Sequence, residues 1–370
     1  MRNPSEKLLF VENLRIFLII LVILLHISII YGGVGNYPIR EKPTEDISPI
    51  ILTFFNAICQ SFFMSLFFLI SGYFVPASFD KKGPKLFLRD RFIRLGIPLL
   101  VYTTFFRYVL DYLFSTFRGE AVTFRDVLLN DLIHPAWVIG PLWFVEALLI
   151  FCIVYTVYRT ILKRFPFIIR DAFPANKSIT LTIIILALLT FIVRIFFPVG
   201  REVHVFQLGH FVHYIFCFFL GIISYRKGWI DDISSRLGLW KKVSIGVIIA
   251  LPFLLFLGKE PELFIGGFTL QSFIFSLWES IACYSIIIAL VSLFKERFAS
   301  QSSLTKWMAP NVYTVYIIHQ LIVTPLSIIF LYTVIPSYVK FIIVSILAVP
   351  LCFLFSGIIR KISITRKVLG

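Results

Sequence analysis

The chain has 370 residues, of which 59% are apolar, 17% aromatic and only 15% charged, with a mean hydropathy of +0.92, a balance that excludes a water-soluble globular domain. A net charge of +15 invites a nucleic-acid reading. The lysines and arginines, however, concentrate in alternate loops and so on one side of the membrane, so they report membrane topology and contact with anionic lipid, and no nucleic-acid partner is expected.

In chain order, apolar runs occupy 10–32, 50–76, 92–114, 140–158, 178–197, 210–225, 243–257, 268–294, 311–331 and 338–359, most of them long enough to cross about 30 Å of hydrocarbon. They predict an all-α fold, a polytopic membrane bundle of about ten transmembrane helices. The basic loop holding Lys81, Lys82, Lys85, Arg89, Arg91 and Arg94 is assigned to the inside, which places both termini in the cytoplasm and the protein in the plasma or inner membrane as a multi-pass component. The first run is long, carries Arg15 and lacks a small-residue cleavage site, so it is expected to be retained. Loops are short, the longest running around Arg118 to Pro135. Residues 1–370 are therefore expected to form a single membrane domain with no appended soluble domain. No repeat relates the halves, which disfavours a carrier. Cys59, Cys152, Cys217, Cys283 and Cys352 each stand alone in an apolar run without a CxxC pair, so neither disulfides nor a metal site is expected.

The first run holds the main functional signal. Arg15 and His26 are eleven residues apart, close to three full helical turns, so in a helix they share one face roughly 16 Å apart along the axis. A cation and an imidazole in a membrane helix mark a protein-lined or watery interior. Glu12 precedes Arg15 by three residues, and a snorkelling Arg15–Glu12 pair is the plainer reading of that end. His26 cannot snorkel easily; it is a candidate general base or ligand, with a satisfied helix-packing histidine as the plainer reading.

Ser71 and Gly72 interrupt a phenylalanine wall and permit close approach by a neighbouring helix or a ligand. Arg91 and Arg94 open the third run at i, i+3 spacing, a candidate clamp for phosphate, although anchoring at the inner surface accounts for either residue alone. Trp143 and Glu146 share a face at the start of the fourth run, and the carboxylate wants a partner. The ninth run carries Asn311, Tyr313, Tyr316 and His319 as a second polar patch. His210 and His213 lack a third ligand and are assigned to interface packing. Arg107 with Asp111, and the isolated Arg194 and Glu279, are read as structural pairs or anchors.

The motifs E-N-L-R at 12–15 followed by ten residues and His26, FFMSLFFLISGYF, RDRFIRLGIPLLVY, GPLWFVEALLIF, FCFFLGIISYRKGW and NVYTVYIIHQ occur in an order and spacing that resembles the acyltransferase 3 family of integral membrane O-acyltransferases over essentially the whole chain. Within that family the sequence looks most like the glucan biosynthesis protein C type. The resemblance implies transfer of an acetyl or succinyl group from cytoplasmic acyl-CoA, a co-substrate rather than a bound cofactor, to a hydroxyl of an extracytoplasmic or cell-envelope carbohydrate. Arg15 and His26 match the family's Arg-x10-His pair, and Arg91 and Arg94 its basic acyl-donor motif. Some members append an SGNH hydrolase-like domain; none is expected here. Acyl-CoA, a glycan acceptor, membrane lipid and other envelope glycan enzymes are the partners implied.

The expected mechanism places the thioester carbonyl between Arg15 and His26, with His26 taking the acceptor proton; direct attack and an acyl-histidine route both remain open. Glu12, Ser71, Trp143, Glu146, Tyr316 and His319 are second-rank candidates for orienting the acceptor. The alternative reading is a carrier or flippase for an anionic glycan or lipid-linked sugar, and a third is a scaffold for a polysaccharide synthase.

Overall fold

The computed structural model describes residues 8–133, 137–162, 171–256 and 262–369; Pro135 and Leu257, at the edges of a loop and a run named above, lie outside them. Among the described residues the fold is all-α. The helices are α1 (Leu9–Ile30), α2 (Ile47–Arg91), α3 (Ile97–Val101), α4 (Arg107–Phe117), α5 (Phe124–Ile133), α6 (Trp143–Leu162), α7 (Asn176–Phe196), α8 (Phe211–Lys227), α9 (Trp229–Asp232), α10 (Leu237–Phe256), α11 (Glu262–Ile265), α12 (Leu270–Arg297), α13 (Ser303–Met308), α14 (Val312–Leu331), α15 (Ser337–Ile359) and α16 (Ser363–Leu369).

Nine helical stretches among the described residues are long and apolar enough to cross a membrane, one fewer than the runs in the sequence. The difference arises because the second and third runs join in one stretch, Ile47–Phe117. That stretch is broken at Gly83, whose φ of 72° and ψ of 170° leave the helix. Pro84 disfavours helical backbone in the residue before it, and glycine takes the positive φ without a Cβ clash. The sequence Lys81-Lys82-Gly83-Pro84-Lys85 thus divides the stretch where a polar loop is expected. Beyond the break the helix contains two π-helical turns, Phe92–Gly96 and Tyr102–Phe106.

The loop around Arg118 to Pro135 holds a helix that apolar periodicity does not announce. Its start is a reciprocal cap: Thr123 N donates to Asp126 Oδ2 at 2.8 Å and Asp126 N donates to Thr123 Oγ1 at 3.3 Å. The Thr123 hydroxyl, which donates to Asp126 Oδ2 at 2.7 Å, and the Thr123 N–H hold the exposed Asp126 carboxyl below its usual range.

The chain forms two compact units, the first from 1–18, 58–87 and 154–306, the second from 19–57, 88–153 and 307–370. In the first unit, α12 packs against α7 and α10. α2 and α8 meet at a pair of glycines. A Cβ on Gly72 would lie 2.0 Å from the carbonyl oxygen of Phe218, and one on Gly221 would lie 2.1 Å from that of Leu69. The close approach expected of Ser71-Gly72 is therefore a helix crossing, and Ser71 lies half-buried beside it.

The same unit buries an ionic network that the sequence leaves scattered. Arg194 on α7, 0% exposed, pairs with Glu279 on α12, 4% exposed. Arg194 Nε also donates to the Gly209 carbonyl at 3.1 Å, and His210 Nδ1 lies 3.1 Å from Glu279 Oε1. His213 continues it, with Nδ1 3.1 Å from the Tyr284 hydroxyl and Nε2 3.2 Å from Thr190 Oγ1. Arg194 and Glu279 are not isolated, and His210 and His213 do more than pack: full burial requires every charge and ring nitrogen to find a partner, and three helices supply them. At another point Asp80 bridges Arg226 at 2.6 Å and Arg159 at 3.2 Å, joining α2, α8 and α6.

In the second unit α14 packs against α15 and α4. The segment between α1 and α2 is tied to the start of α15: Lys340, buried, pairs with Glu41 at 2.5 Å, Ser337 Oγ donates to Glu41 at 3.0 Å, and Ser337 N donates to Glu45 at 2.7 Å. The last of these satisfies a backbone N–H that a helix start leaves open.

Candidate active site

α1 runs without interruption from Leu9 to Ile30, so Arg15 and His26 stand on one helical face as the spacing predicts. At the Arg15 end, Gln301 Nε2 donates to Glu12 at 3.0 Å and to Asn13 Oδ1 at 3.2 Å, while Asn13 donates to the carbonyls of Phe298 and Ser300, both at 2.8 Å. Glu12 is thus engaged by Gln301. The Glu12 carboxylate also lies close enough to attract the half-buried Arg15 guanidinium three residues on.

His26 lies in the second unit, where α14 supplies its surroundings. The His26 and His319 rings lie 5.0 Å apart between centroids, inclined by 29°, and the Tyr37 ring lies 5.7 Å from His26. His26 Nδ1 and His319 Nε2 are both buried without a hydrogen-bond partner. Tyr37 comes from the segment after α1 and shares a hydrogen bond of 2.7 Å with Thr324 Oγ1. Burial pushes its phenol well above its ordinary value, so the hydroxyl stays protonated.

Residues 313, 316 and 320 follow the i, i+3, i+7 stripe of one helix face, and each bonds the stretch that precedes or contains the fourth run. Tyr313 donates to the Arg94 carbonyl at 2.7 Å, Tyr316 donates to the Pro141 carbonyl, and Gln320 Oε1 accepts from Tyr102 at 2.9 Å. Arg94 and Tyr102 both belong to the π-helical turns, whose wider i→i+5 pattern alters which carbonyls and side chains face α14. Gly140, at φ 47°, admits this packing: a Cβ there would meet the Tyr102 hydroxyl at 2.3 Å. These tyrosine and glutamine contacts were not readable from the sequence, since they depend on helix unwinding that apolar periodicity does not encode.

Arg91 ends α2 half-buried, and Arg94 is exposed within the first π-helical turn. Glu146 accepts from Trp137 Nε1 at 3.4 Å, and Trp143 packs edge-on against Phe144. The structure therefore brings the His26 and His319 rings together, with Tyr316 beside His319 on α14, sets Arg91 and Arg94 beyond the Gly83 break of the Ile47–Phe117 stretch, and places Glu12, Arg15 and Ser71 in the first unit. No group of three or more metal-ligating side chains forms among the described residues.

Apolar helical stretches long enough to cross a membrane, with an imidazole pair among them, define a multi-pass membrane protein. The description "Acyltransferase domain" matches residues 8–357, and the chain belongs to this acyltransferase family. Among curated proteins it is 30% identical over 180 residues to glucans biosynthesis protein C of Escherichia coli O1:K1 / APEC, 48% of this chain and 45% of that protein. The figures are the same for the glucans biosynthesis protein C of Escherichia coli O139:H28 (strain E24377A / ETEC) and of O9:H4 (strain HS). The match spans about half the length of those relatives. No solved structure matches the chain.

Proposed function

We propose that the protein transfers an acyl group, acetyl or succinyl, from cytoplasmic acyl-CoA to a hydroxyl of an extracytoplasmic or cell-envelope carbohydrate. The observation that carries the reading is His26, an imidazole in the middle of an apolar helix, half-buried, with one ring nitrogen unpartnered. Such a group is costly unless it has a task, and a neutral imidazole is suited to accept a proton from a hydroxyl. The names of the similar proteins point to a glucan as the acceptor class.

In this reading the donor's phosphates lie against Arg91 and Arg94, where guanidinium groups bind phosphate oxygens by paired hydrogen bonds. The acyl arm enters the bundle. His26 removes the proton of the acceptor hydroxyl as its oxygen attacks the thioester carbonyl, and the C–S bond then breaks. The proton on His26 passes to the leaving thiolate, releasing CoA thiol. Arg15 supplies positive charge on the same helix face for the donor or the developing oxyanion.

The test is mass spectrometry of surface and secreted glycans from cells carrying the intact gene, a deletion, or His26→Ala. Ester-sized mass increments present only with the intact gene support the assignment and identify the acyl group and acceptor. Unchanged acylation with altered glycan amount or location would replace it with transport of a glycan conjugate.

A further inference from the structure

We infer that His319 is a positioning residue that acts through His26: it accepts a hydrogen bond from His26 Nδ1–H and thereby fixes the tautomer in which His26 Nε2 is the free base. This rests on the proposed transfer reaction and deepens it, and it gives His319 a different role from the acceptor-orienting one expected from the sequence.

The argument begins with the tautomer of His319. Its Nδ1 lies 2.7 Å from the Tyr316 carbonyl, which can only accept, so Nδ1 carries the proton and Nε2 holds a lone pair in the neutral ring. That Nε2 is buried and unpartnered, on a side chain with 0% exposure. The other unpartnered imidazole nitrogen here is His26 Nδ1, also buried. A bare acceptor and an orphaned nitrogen thus sit on two rings in contact, with centroids 5.0 Å apart. That separation is close to what an in-plane N–H···N bond of about 2.9 Å sets between two imidazoles. The final side-chain torsion of histidine is soft, so a modest ring rotation brings the two nitrogens together.

Tyr37 shares its hydrogen bond with Thr324 and Tyr316 donates to Pro141, whereas His319 Nε2 is an acceptor left without any bond, on the ring that touches His26. With Nδ1–H engaged, His26 presents Nε2 as the base, on a residue that is only half-buried. When the acceptor hydroxyl proton moves to Nε2, the imidazolium is held by the neutral Nε2 of His319, as base and orienting group act in other hydrolytic and transfer sites. The proton then leaves on the thiolate, and His319 neither gains nor loses one over the cycle.

The test uses the full-length protein in lipid nanodiscs with ¹⁵N-labelled histidine. Nitrogen chemical shifts should report His26 and His319 both protonated at Nδ1, and His319→Leu should abolish the single-tautomer signature of His26. In acyl transfer, His319→Leu should lower kcat by about 10²-fold or more with KM for acyl-CoA little changed, a magnitude typical of a lost proton-transfer arrangement. His319→Gln, whose Oε1 can accept the same bond, should recover kcat to within about tenfold of wild type. His26 protonated at Nε2, or equal losses in the Leu and Gln variants, would overturn the inference. The tautomer measurement needs no turnover, so it stands or falls apart from the acyl-transfer reading: absent transfer by the wild type defeats the latter alone.

Discussion

Glu279→Gln should destabilise the first unit more than almost any other single polar change. Arg194 is 0% exposed at its side chain and Glu279 4%, so the variant leaves a guanidinium in the interior with only neutral partners: Gly209 O at 3.1 Å, Ser276 Oγ at 3.4 Å and His210 Nδ1 at 3.3 Å. Removing one member of a buried pair costs about 3–5 kcal/mol, because the remaining charge has lost water and counter-ion together. The surviving neutral hydrogen bonds argue for the lower end, about 3 kcal/mol, or a fall of roughly 6–12 °C in melting temperature for a cooperative unit of this size. The five free cysteines are all buried and give the readout: a thiol-reactive fluorescent dye labels the protein as it unfolds. Replacing both members, Arg194→Leu with Glu279→Leu, should cost less than Glu279→Gln alone, since an apolar pair carries no uncompensated charge. A shift below about 2 °C for Glu279→Gln, or a double variant less stable than the single one, would refute the view that this pair is an electrostatic tie between α7 and α12.

Three further outcomes follow from the geometry. Gly72→Val should lower the same thermal transition, because its Cβ would need the Phe218 carbonyl, 2.0 Å away, to retreat; over-packing of this kind costs about 1–3 kcal/mol, and an unchanged transition would show that α2 and α8 do not meet there. Lys340→Met should loosen the segment between α1 and α2 by leaving Glu41 without its cation, read as faster amide exchange at 37–46, whereas unchanged exchange would remove the ion pair from the account. Asp126→Asn should fray α5 at neutral pH. Because the native carboxyl is held below the usual aspartate range, its contribution is present in full above that range and vanishes as pH falls through the lowered value; amide exchange of α5 in wild type and variant should therefore differ at neutral pH and converge in strong acid.

The membrane-spanning architecture was legible because apolar run length reports it directly. Gly83-Pro84 marked a turn by its chemistry, but local sequence does not say that the flanking helices remain nearly continuous around it. The Arg15–His26 face was legible too, since it needs only an unbroken helix. His319 was noticed as a polar residue on α14, yet its contact with His26 joins the first and last parts of the chain, and no local pattern encodes that. The π-helical turns at 92–96 and 102–106 escaped for a related reason: their carbonyl and side-chain partners lie on α14, so tertiary contact rather than propensity accompanies the wider helical register. Arg194 and Glu279 looked isolated, and His210 and His213 looked like packing residues, because they come from separate parts of the chain, and only the fold shows that they are partners.

The most direct test of the central claim is acyl transfer by the purified protein in proteoliposomes, supplied with acyl-labelled acyl-CoA inside and unmodified envelope oligosaccharide outside. The account predicts labelled ester on the oligosaccharide, reduced by about 10²–10⁴-fold in His26→Ala at equal protein content and thermal stability. Transfer that persists in His26→Ala, or wild-type protein that moves the oligosaccharide without esterifying it, would contradict it.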